Sequence, residues 1–359
     1  MKRSIILALA VVILVAGIAG SVLAVGPVRD RLGLGTAEAG TPYRNPVINA
    51  DFADPAIMRA SDGMYYAYAT QTLLEGSTVN IHVARSRDLV HWKLLGDALP
   101  IPPAWSVSKQ NLWAPDVVEQ HGRYIMHLSV EPDKSDGMCI AVATSRKPTG
   151  IFRDVGKPLL CGPGISDIDP MAFHDPQTGK NLLFWGSGGS PIRVQELTAD
   201  WLHFKPHTTP RDVLSADPQF AYENLIEGAW VHYRRGYYYL YYSGDACCGS
   251  TAHYAVMVAR SRHATGPYVK MAKALHRPSS TIVIANQRWN APGHNSVITD
   301  KMGEDWLVYH AVDLKNATIG STGASRRPML IEHIRYRGGW PYIEGSHPSS
   351  TEQTGPVTK

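Results

Sequence analysis

The sequence predicts an all-β protein that folds as a five-bladed β-propeller. Three observations support this fold class: strand-like runs recur along the chain, no long amphipathic helix follows the N-terminal segment, and the runs group into five similar units. Each unit has a turn, an aromatic alternating strand, another strand and a closing segment with Trp, Phe or Tyr. Motifs that repeat roughly every fifty to seventy residues are typical of a propeller, in which each unit forms one four-stranded sheet.

The units follow one another without a break and predict a single domain from residue 43 to residue 345. Their aromatic strands read, in chain order, "DGMYYAYATQ", "HGRYIMHLSV", "GKNLLFWGS", "RGYYYLYYSG" and "GEDWLVYHAV". In the first, second and fourth units, the next strand contains the string A(R/T)SR. The remaining residues, 346–359, form a polar tail that we expect to fray.

Residues 1–24 have the features of a targeting segment. Lys2 and Arg3 precede an apolar run, and the small residues ending at Ala24 resemble a cleavage site. The run is also long enough to span a bilayer, so a cleaved signal peptide and an uncleaved anchor are both open, with cleavage favoured. Either way, we expect export to the extracellular space or periplasm, with membrane attachment only if the segment is retained. Residues 25–42 form a linker into the domain.

The composition suits a turn-rich β protein. Charged residues make up 18% of the chain, 32 Gly and 25 Pro supply turns, and 9 Trp and 17 Tyr outnumber 6 Phe. Such aromatic residues line sugar-binding clefts as well as propeller cores. The net charge is only +4 and no Lys/Arg cluster lies along the domain, so nothing indicates nucleic-acid binding. We expect a monomer.

Four cysteines are too few for a disulfide scaffold in so long a chain. Cys139 and Cys161 are close enough in sequence to bridge neighbouring strands, whereas Cys247 and Cys248 are adjacent. Small buried hydrophobic side chains are the alternative for all four. Their spacing does not match that of metal ligands.

Four acidic residues occupy similar settings ahead of the aromatic strands: Asp54 in "FADPAI", Asp116 in "APDVV", Asp169 in "DIDPMAF" and Glu227 in "IEGAW". Proline biases the preceding residue toward extended backbone, so we expect Asp54 and Asp169 to be extended at strand starts. Inner strands of a propeller line one channel, so the four positions should be equivalent and should surround one pocket. Turn chemistry alone explains any single one of them. Together they predict acid/base cleavage of a glycosidic bond.

These motifs resemble those of glycoside hydrolase family 43, five-bladed propellers that act on arabinose- and xylose-containing polysaccharides. The resemblance covers the whole domain and includes "DFADPAI", "NLWAPDVV", "DIDPMAF" and "IEGAWVHYRRGYYYLYYSG". The strings "CCGSTAHYAVMVARS" and "APGHN" resemble those of arabinan-cleaving members, although Ala291 replaces a glycine usual there. The closing "RRPMLIEHIRYRGGWP" is also similar. The C-terminal β-sandwich of xylosidase-like members is not evident.

The resemblance implies roles for the carboxylates. Asp54 would be the general base that activates water, Glu227 the general acid, and Asp169 the residue that orients the acid and raises its pKa. A glutamic acid that stays protonated near neutral pH needs burial or a nearby anion, which Asp169 would supply. The family inverts configuration, which implies a base-to-acid separation of roughly 6.5–9.5 Å. This chemistry needs no cofactor.

The resemblance also implies roles for residues around the carboxylates. Trp113 would wall the sugar pocket, Asp116 and Arg327 would bind substrate, and His294 would hold Ca²⁺ or another ion in the central channel largely through water. The structural alternatives are blade packing for Trp113, a salt bridge for Arg327 and a buried, backbone-bonded imidazole for His294.

We therefore expect an inverting hydrolase of arabinose-containing polysaccharide or oligosaccharide, either an endo-1,5-α-L-arabinanase or an α-L-arabinofuranosidase. Within the same family, β-xylosidase and galactofuranosidase activities are the alternatives. A non-catalytic glycan-binding propeller would keep the aromatic residues but would not need all three carboxylates. A fructan-cleaving propeller would carry Asn-Asp-Pro-Asn in its first motif and Glu-Cys at the acid, where this chain has "FADPAI" and Glu227-Gly228.

Overall fold

The computed structural model describes residues 40–107, 111–134 and 137–358. The expected targeting segment, 1–24, and nearly all of the linker, 25–42, lie outside these residues. Within the described ranges, no helix is both long and apolar enough to cross a bilayer.

Five antiparallel sheets form the blades of a propeller, which confirms the predicted fold class. Blade 1 contains β1 (Ala56–Arg59), β2 (Tyr65–Ala69), β5 (His82–Ser86) and β6 (Trp92–Asp97), with a hairpin of β3 (Thr72–Leu74) and β4 (Ser77–Val79) inserted after β2. Blade 2 contains β7 (Leu112–Gln120), β8 (Arg123–Val130), β9 (Cys139–Ser145) and β10 (Arg153–Asp154), and β11 (Leu160–Cys161) also pairs with β9.

The last three blades follow the same plan. Blade 3 contains β12 (Met171–His174), β13 (Asn181–Trp185), β14 (Ile192–Glu196) and β15 (Arg211–Leu214). Blade 4 contains β16 (Ile226–Arg234), β17 (Tyr237–Ala246), β18 (His253–Ser261) and β19 (Val269–Lys270), followed by the short helix α1 (Met271–Leu275) and by β20 (Thr281–Val283), which pairs with β18. Blade 5 contains β21 (Trp289–Thr299), β22 (Asp305–Asp313), β23 (Met329–Arg337) and β24 (Trp340–Tyr342), and a 3₁₀ turn, Glu344–Ser346, follows.

The inner strands of the five blades surround the central channel. They are β1, β7, β12, β16 and β21, and each contacts the inner strands on both sides of it, so the ring is closed. Each blade runs outward strand by strand in antiparallel order. The inner strands therefore all start at one face, which we call the mouth, and all end at the opposite face, which we call the far face.

The hydrophobic core lies between blades. In strand β2, Tyr66 and Tyr68 pack toward blade 2, whereas Tyr65, Ala67 and Ala69 pack toward blade 5. Successive side chains of a strand point to opposite faces, so a sheet sandwiched between two others buries both of its faces. Equivalent clusters fill the other three blade interfaces. This explains why the second strands are aromatic or apolar at nearly every position.

Both ends of the domain pack against blade 5. Tyr43 pairs with Gln353, and Ile48 pairs with Met329 at the start of β23. The amide of Val357 donates to the carboxylate of Asp300. The expectation that the tail frays was therefore wrong for its described part, 346–358, because this backbone pairing holds it against the blade.

The four cysteines form two disulfides. Cys139–Cys161 joins β9 to β11, as their short spacing in sequence allowed. Cys247 and Cys248 pair with each other in the turn between β17 and β18, at the mouth. The alternative of four unpaired, buried cysteines was wrong.

Candidate active site

Each inner strand has, at its mouth end or just before it, a residue of positive φ, which is uncommon outside glycine. These residues are Asp54 (φ 53°), Ala114 (φ 45°), Asp169 (φ 59°), Gly228 (φ 60°) and His294 (φ 43°). Four of their backbone amides donate to a polar side chain of the preceding blade: Asp54 to His310 Nδ1, Ala114 to Thr70 Oγ1, Asp169 to Ser129 Oγ and His294 to Ser243 Oγ, over 2.8–3.0 Å. Such backbone costs about 1–3 kcal/mol at a residue other than glycine, and these hydrogen bonds offset that cost.

Two expectations about these strands were wrong. Asp54 and Asp169 are not extended, because hydrogen bonds from other blades outweigh the bias that the following proline imposes. The four acidic residues are also not equivalent. Ala114 rather than Asp116 matches Asp54 in blade 2, and Gly228 rather than Glu227 matches it in blade 4. Strands β7 and β16 both change register at these points, and a single sequence does not reveal such an irregularity.

Asp54 lies beside a guanidinium group, two imidazole rings and a hydroxyl group. Its Oδ1 accepts a hydrogen bond from Arg327 Nη1 at 3.0 Å and lies 3.2 Å from His310 Nδ1 and 3.5 Å from His294 Nδ1. Its Oδ2 accepts from the hydroxyl of Thr70 at 2.5 Å. Burial raises the pKa of Asp54, but the charge of Arg327 first, followed by His294, outweighs burial and holds that pKa well below its usual range. Asp54 is therefore ionised at neutral pH and can accept a proton.

Asp169 and Glu227 form a buried acidic pair. Glu227 accepts hydrogen bonds from Ser187 Oγ at 2.5 Å and from Tyr254 Oη at 2.7 Å. Asp169 Oδ2 accepts from the Gly228 amide at 3.0 Å. Burial first, and then the charges of Glu227 and Asp54, raise the pKa of Asp169 well above its usual range. Asp169 therefore keeps its proton to a higher pH than an ordinary aspartic acid does.

His294 joins the two parts of the site. Its Nδ1 lies 3.5 Å from Asp54 Oδ1 and 3.8 Å from Asp169 Oδ2. The imidazole therefore stands between the ionised aspartate and the acidic pair. Carboxylates from three blades are thereby gathered at one mouth, which is the arrangement that glycosidic bond cleavage by an acid and a base requires.

Residues 43–341 match the family model described as glycosyl hydrolases family 43. The chain belongs to this family. It is 28% identical over 299 residues to the extracellular endo-α-(1→5)-L-arabinanase 1 of Bacillus subtilis (strain 168), covering 80% of this chain and 86% of that relative. It is 29% identical over 316 residues to the β-D-galactofuranosidase xynD of Aspergillus niger, covering 84% of this chain and 85% of that relative. A solved thermostable family-43 glycoside hydrolase superposes with a TM-score of 0.69 at 25% identity, over 88% of this chain and 100% of that one.

Membership of family 43 makes the protein a hydrolase of O-glycosyl bonds in a carbohydrate substrate, and inversion of configuration is known for the family. The predicted family and enzyme class are thus confirmed. Catalysis in this family needs no cofactor.

The structure places the remaining predicted residues of this family 43 hydrolase in different settings. Arg327 contacts Asp54, as described, and Trp113 is half-buried at the mouth beside Ala114. Asp116 lies two residues further along β7, where its Oδ2 accepts a hydrogen bond from the Ala172 amide of blade 3 at 2.7 Å. Burial raises the pKa of Asp116 to about 7. Its contact braces two blades, and its role toward substrate stays a prediction.

Replacing Asp116 by asparagine should stabilise the fold above pH 7. Because the pKa of Asp116 is raised to about 7, the folded protein binds more protons than the unfolded chain between about pH 4 and 7. Stability therefore falls as pH rises through this window, whereas asparagine does not titrate and still offers Ala172 an acceptor oxygen. We expect urea unfolding to give a gain on the order of 2 kcal/mol at pH 8 and none at pH 4. Equal stability of the two proteins at pH 8 would contradict this account of Asp116.

Sequence reasoning missed the polar residues that hold the carboxylates of this hydrolase. A repeated signal was available, because one polar residue closes the aromatic strand of every unit: Thr70, Ser129, Ser187, Ser243 and His310. The first, third and fifth contact Asp54 or Glu227 directly. Tyr254, on the third strand of blade 4, has no counterpart in the repeats and carried no comparable signal.

Proposed function

We propose that this family 43 hydrolase cleaves α-1,5-linked arabinan or a related arabinose-containing oligosaccharide. The observation that carries the proposal is the connected site at the mouth, in which His294 stands between Asp54 and the Asp169–Glu227 pair. The choice of arabinose is supported by the similarity to the Bacillus subtilis endo-arabinanase and by the "CCGSTAHYAVMVARS" and "APGHN" strings. Both endo-arabinanase and α-L-arabinofuranosidase action are included.

Asp54 is assigned as the general base. An ionised carboxylate accepts a proton from a water molecule as that water attacks the anomeric carbon. The pKa of Asp54 is held well below its usual range, which supports a base that is ready across the whole physiological range. Arg327 positions this carboxylate through the hydrogen bond from Nη1 to Oδ1 and leaves Nη2 for substrate hydroxyls.

Glu227 is assigned as the general acid, with Asp169 as its partner. The acid must hold a proton and transfer it to the leaving glycosidic oxygen as the bond breaks. The neighbouring Asp169 favours a proton at this place, since ionising both carboxyl groups at once would put two negative charges side by side. Ser187 and Tyr254 fix the orientation of the Glu227 side chain. Trp113 and Asp116 are assigned to the substrate-facing wall of the pocket.

A calcium ion in the channel is part of this proposal, with no catalytic step assigned to it. No group of three or more His, Cys, Asp or Glu side chains that could hold a metal occurs among the described residues. The buried carboxamide of Asn295, next to His294, has no hydrogen-bond partner for either of its polar atoms. Calcium takes carboxamide oxygens as ligands. Water molecules would complete the coordination shell of an ion held beside His294 and Asn295. The ion would supply positive charge near the aspartates.

The proposal includes export and action as a monomer. The relatives include an extracellular enzyme, and the basic and apolar N-terminal residues have the features of a targeting segment. All residues assigned to the site come from one chain. Galactofuranosidase action is the second candidate, because the Aspergillus niger relative carries that name at similar identity.

Product analysis would test the proposal. The enzyme should release arabinose or arabino-oligosaccharides from debranched arabinan, and proton NMR should find the newly formed anomeric centre inverted. Arabinoxylan and nitrophenyl xyloside, galactofuranoside and arabinofuranoside are the comparison substrates. Faster release from the galactofuranoside than from every arabinoside would contradict the choice of sugar, and binding without turnover on all substrates would indicate a glycan-binding propeller.

A further inference from the structure

A cleft on the far face has no part in the proposed catalysis. It has a volume of about 710 Å³ and lies where blade 2 meets blade 3. Its walls come from the turn between β7 and β8, the end of β9 and the start of β10, with Asp200 contributed by blade 3. Ala114 at the mouth and Gln120 in the cleft stand at opposite ends of β7, about 20 Å apart at the usual rise of a strand. The cleft is therefore separate from the catalytic mouth.

Hydrogen bonds between the blades fix the shape of this cleft. Gln120 Nε2 donates to the Ala199 carbonyl at 3.0 Å, and His127 bonds the Trp201 carbonyl at 3.0 Å. Ser145 Oγ accepts from the Lys147 amide, which shapes the turn that carries Arg146. The walls thus belong to two sheets that are tied together.

Three arginines line the cleft without a protein partner. Arg123, Arg146 and Arg153 are exposed, and none of them makes a side-chain hydrogen bond, an ion pair or a ring contact within the described part of the chain. Two other arginines near the far face have protein partners. Arg234 pairs with Asp305, and Arg262 bonds Tyr237. Three free guanidinium groups in one concave site attract an anion.

The other groups in the cleft suit a hydroxylated anion. The Asp200 carboxylate accepts hydrogen bonds from the Thr198 hydroxyl and the Leu202 amide. The bond from Thr198 is the largest of the effects that lower the pKa of Asp200, so this carboxylate stays ionised and accepts hydrogen bonds. Thr144 and Gln120 add further hydrogen-bonding groups. Guanidinium groups bind carboxylates in paired hydrogen bonds, and acceptors such as Asp200 bind sugar hydroxyls. A flat bilayer surface would not enter such a concavity.

We infer that this cleft binds the carboxylates of an acidic polysaccharide, a chain of uronate sugars. Several weak arginine contacts along one polymer add up through multivalency, although each exposed pair contributes little alone. Bound in this way, the enzyme is held on an acidic matrix with its catalytic mouth directed away from the attachment. Binding here is independent of which sugar the mouth cleaves, and its test involves no turnover.

Affinity electrophoresis of the full chain through gels containing polygalacturonate tests the inference. The protein should be retarded in 50 mM salt and released in 200 mM salt. Salt screens exposed charge pairs, and the Debye length is already about 10 Å near 100 mM. The triple variant Arg123→Gln, Arg146→Gln and Arg153→Gln should bind about tenfold more weakly or worse. The matched control, Arg87→Gln, Arg211→Gln and Arg335→Gln, removes the same charge from exposed positions outside the cleft and should bind like wild type.

Thermal unfolding and hydrolysis of a nitrophenyl glycoside should be unchanged in both triple variants, since neither set belongs to the catalytic site. Equal losses of binding in the two variants would overturn the inference, because general charge would then explain retention. No retardation by polygalacturonate would overturn it as well. Binding to phosphatidylglycerol vesicles but not to polygalacturonate would assign the cleft to lipid and contradict the proposed ligand. Competition by inorganic phosphate as strong as that by galacturonate oligomers would assign the cleft to small anions.

Discussion

Replacing Asp54 by asparagine should lower kcat on debranched arabinan at least about a hundredfold, since general acid–base catalysis contributes roughly 10²–10⁴ in rate. The carboxamide keeps the shape of the side chain and an acceptor for Arg327, but it cannot take a proton from water. The loss should appear in kcat more than in KM, because the interaction is made as water attacks. Initial rates over a range of arabinan concentrations would measure it.

Asp212→Asn is the matched control for this variant. It makes the same chemical change at a side chain that is 63% exposed, far from the mouth, and should leave kcat unchanged. Circular dichroism and thermal unfolding should find both variants folded. Near-wild-type turnover of the Asp54 variant would remove Asp54 from the role of general base.

Replacing Asp169 by asparagine should move the alkaline limb of the pH–rate profile to lower pH while the rate falls. Glu227 and Asp54 help to raise the pKa of Asp169, so the two carboxyl groups of the pair resist joint ionisation. Asparagine removes the negative charge beside the acid but keeps an oxygen for the Gly228 amide. The acid then loses its proton at a lower pH, and the fraction of active enzyme declines earlier. Rates from pH 4 to pH 9 would locate the limb.

The substrate dependence of the Asp169 variant supplies an internal control. A nitrophenyl glycoside needs less protonation of its leaving oxygen than a polysaccharide does, so its hydrolysis should suffer less. An alkaline limb at the wild-type pH, together with equal losses on both substrates, would mean that Asp169 contacts a sugar hydroxyl instead.

The fold was predictable because its main determinant repeats. Each unit carries an aromatic strand such as "RGYYYLYYSG", and a blade between two other blades must be apolar on both faces, as Tyr65 and Tyr66 illustrate. The packed tail was not predictable, because Gln353 is polar and its pairing with Tyr43 joins segments from the two ends of the domain. Long-range backbone pairing of this kind leaves no periodic trace in the sequence.

The candidate site was predicted in part. Asp54, Asp169, Glu227, Arg327 and His294 do come together at the mouth. Repeat position and family resemblance both indicated the three carboxylates, whereas the resemblance alone indicated Arg327 and His294. Repeat position misplaced Asp116, because an irregular register in β7 makes Ala114 the counterpart of Asp54. The left-handed backbone of Asp54 and Asp169 depends on hydrogen bonds to residues of other blades, far away in sequence. The bias that a proline imposes on the residue before it does not take such contacts into account.

The dependence of rate on the leaving group tests the assignment of acid and base most directly. Glu227→Gln and Asp54→Asn would be compared on debranched arabinan and on a dinitrophenyl arabinoside. If Glu227 protonates the leaving group, its variant should lose at least about a hundredfold on arabinan but less than about tenfold on the dinitrophenyl substrate, which departs without a proton. The Asp54 variant should lose heavily on both, because each reaction still needs activated water. Equal losses of the Glu227 variant on the two substrates, or an Asp54 variant that spares the dinitrophenyl substrate, would contradict the account.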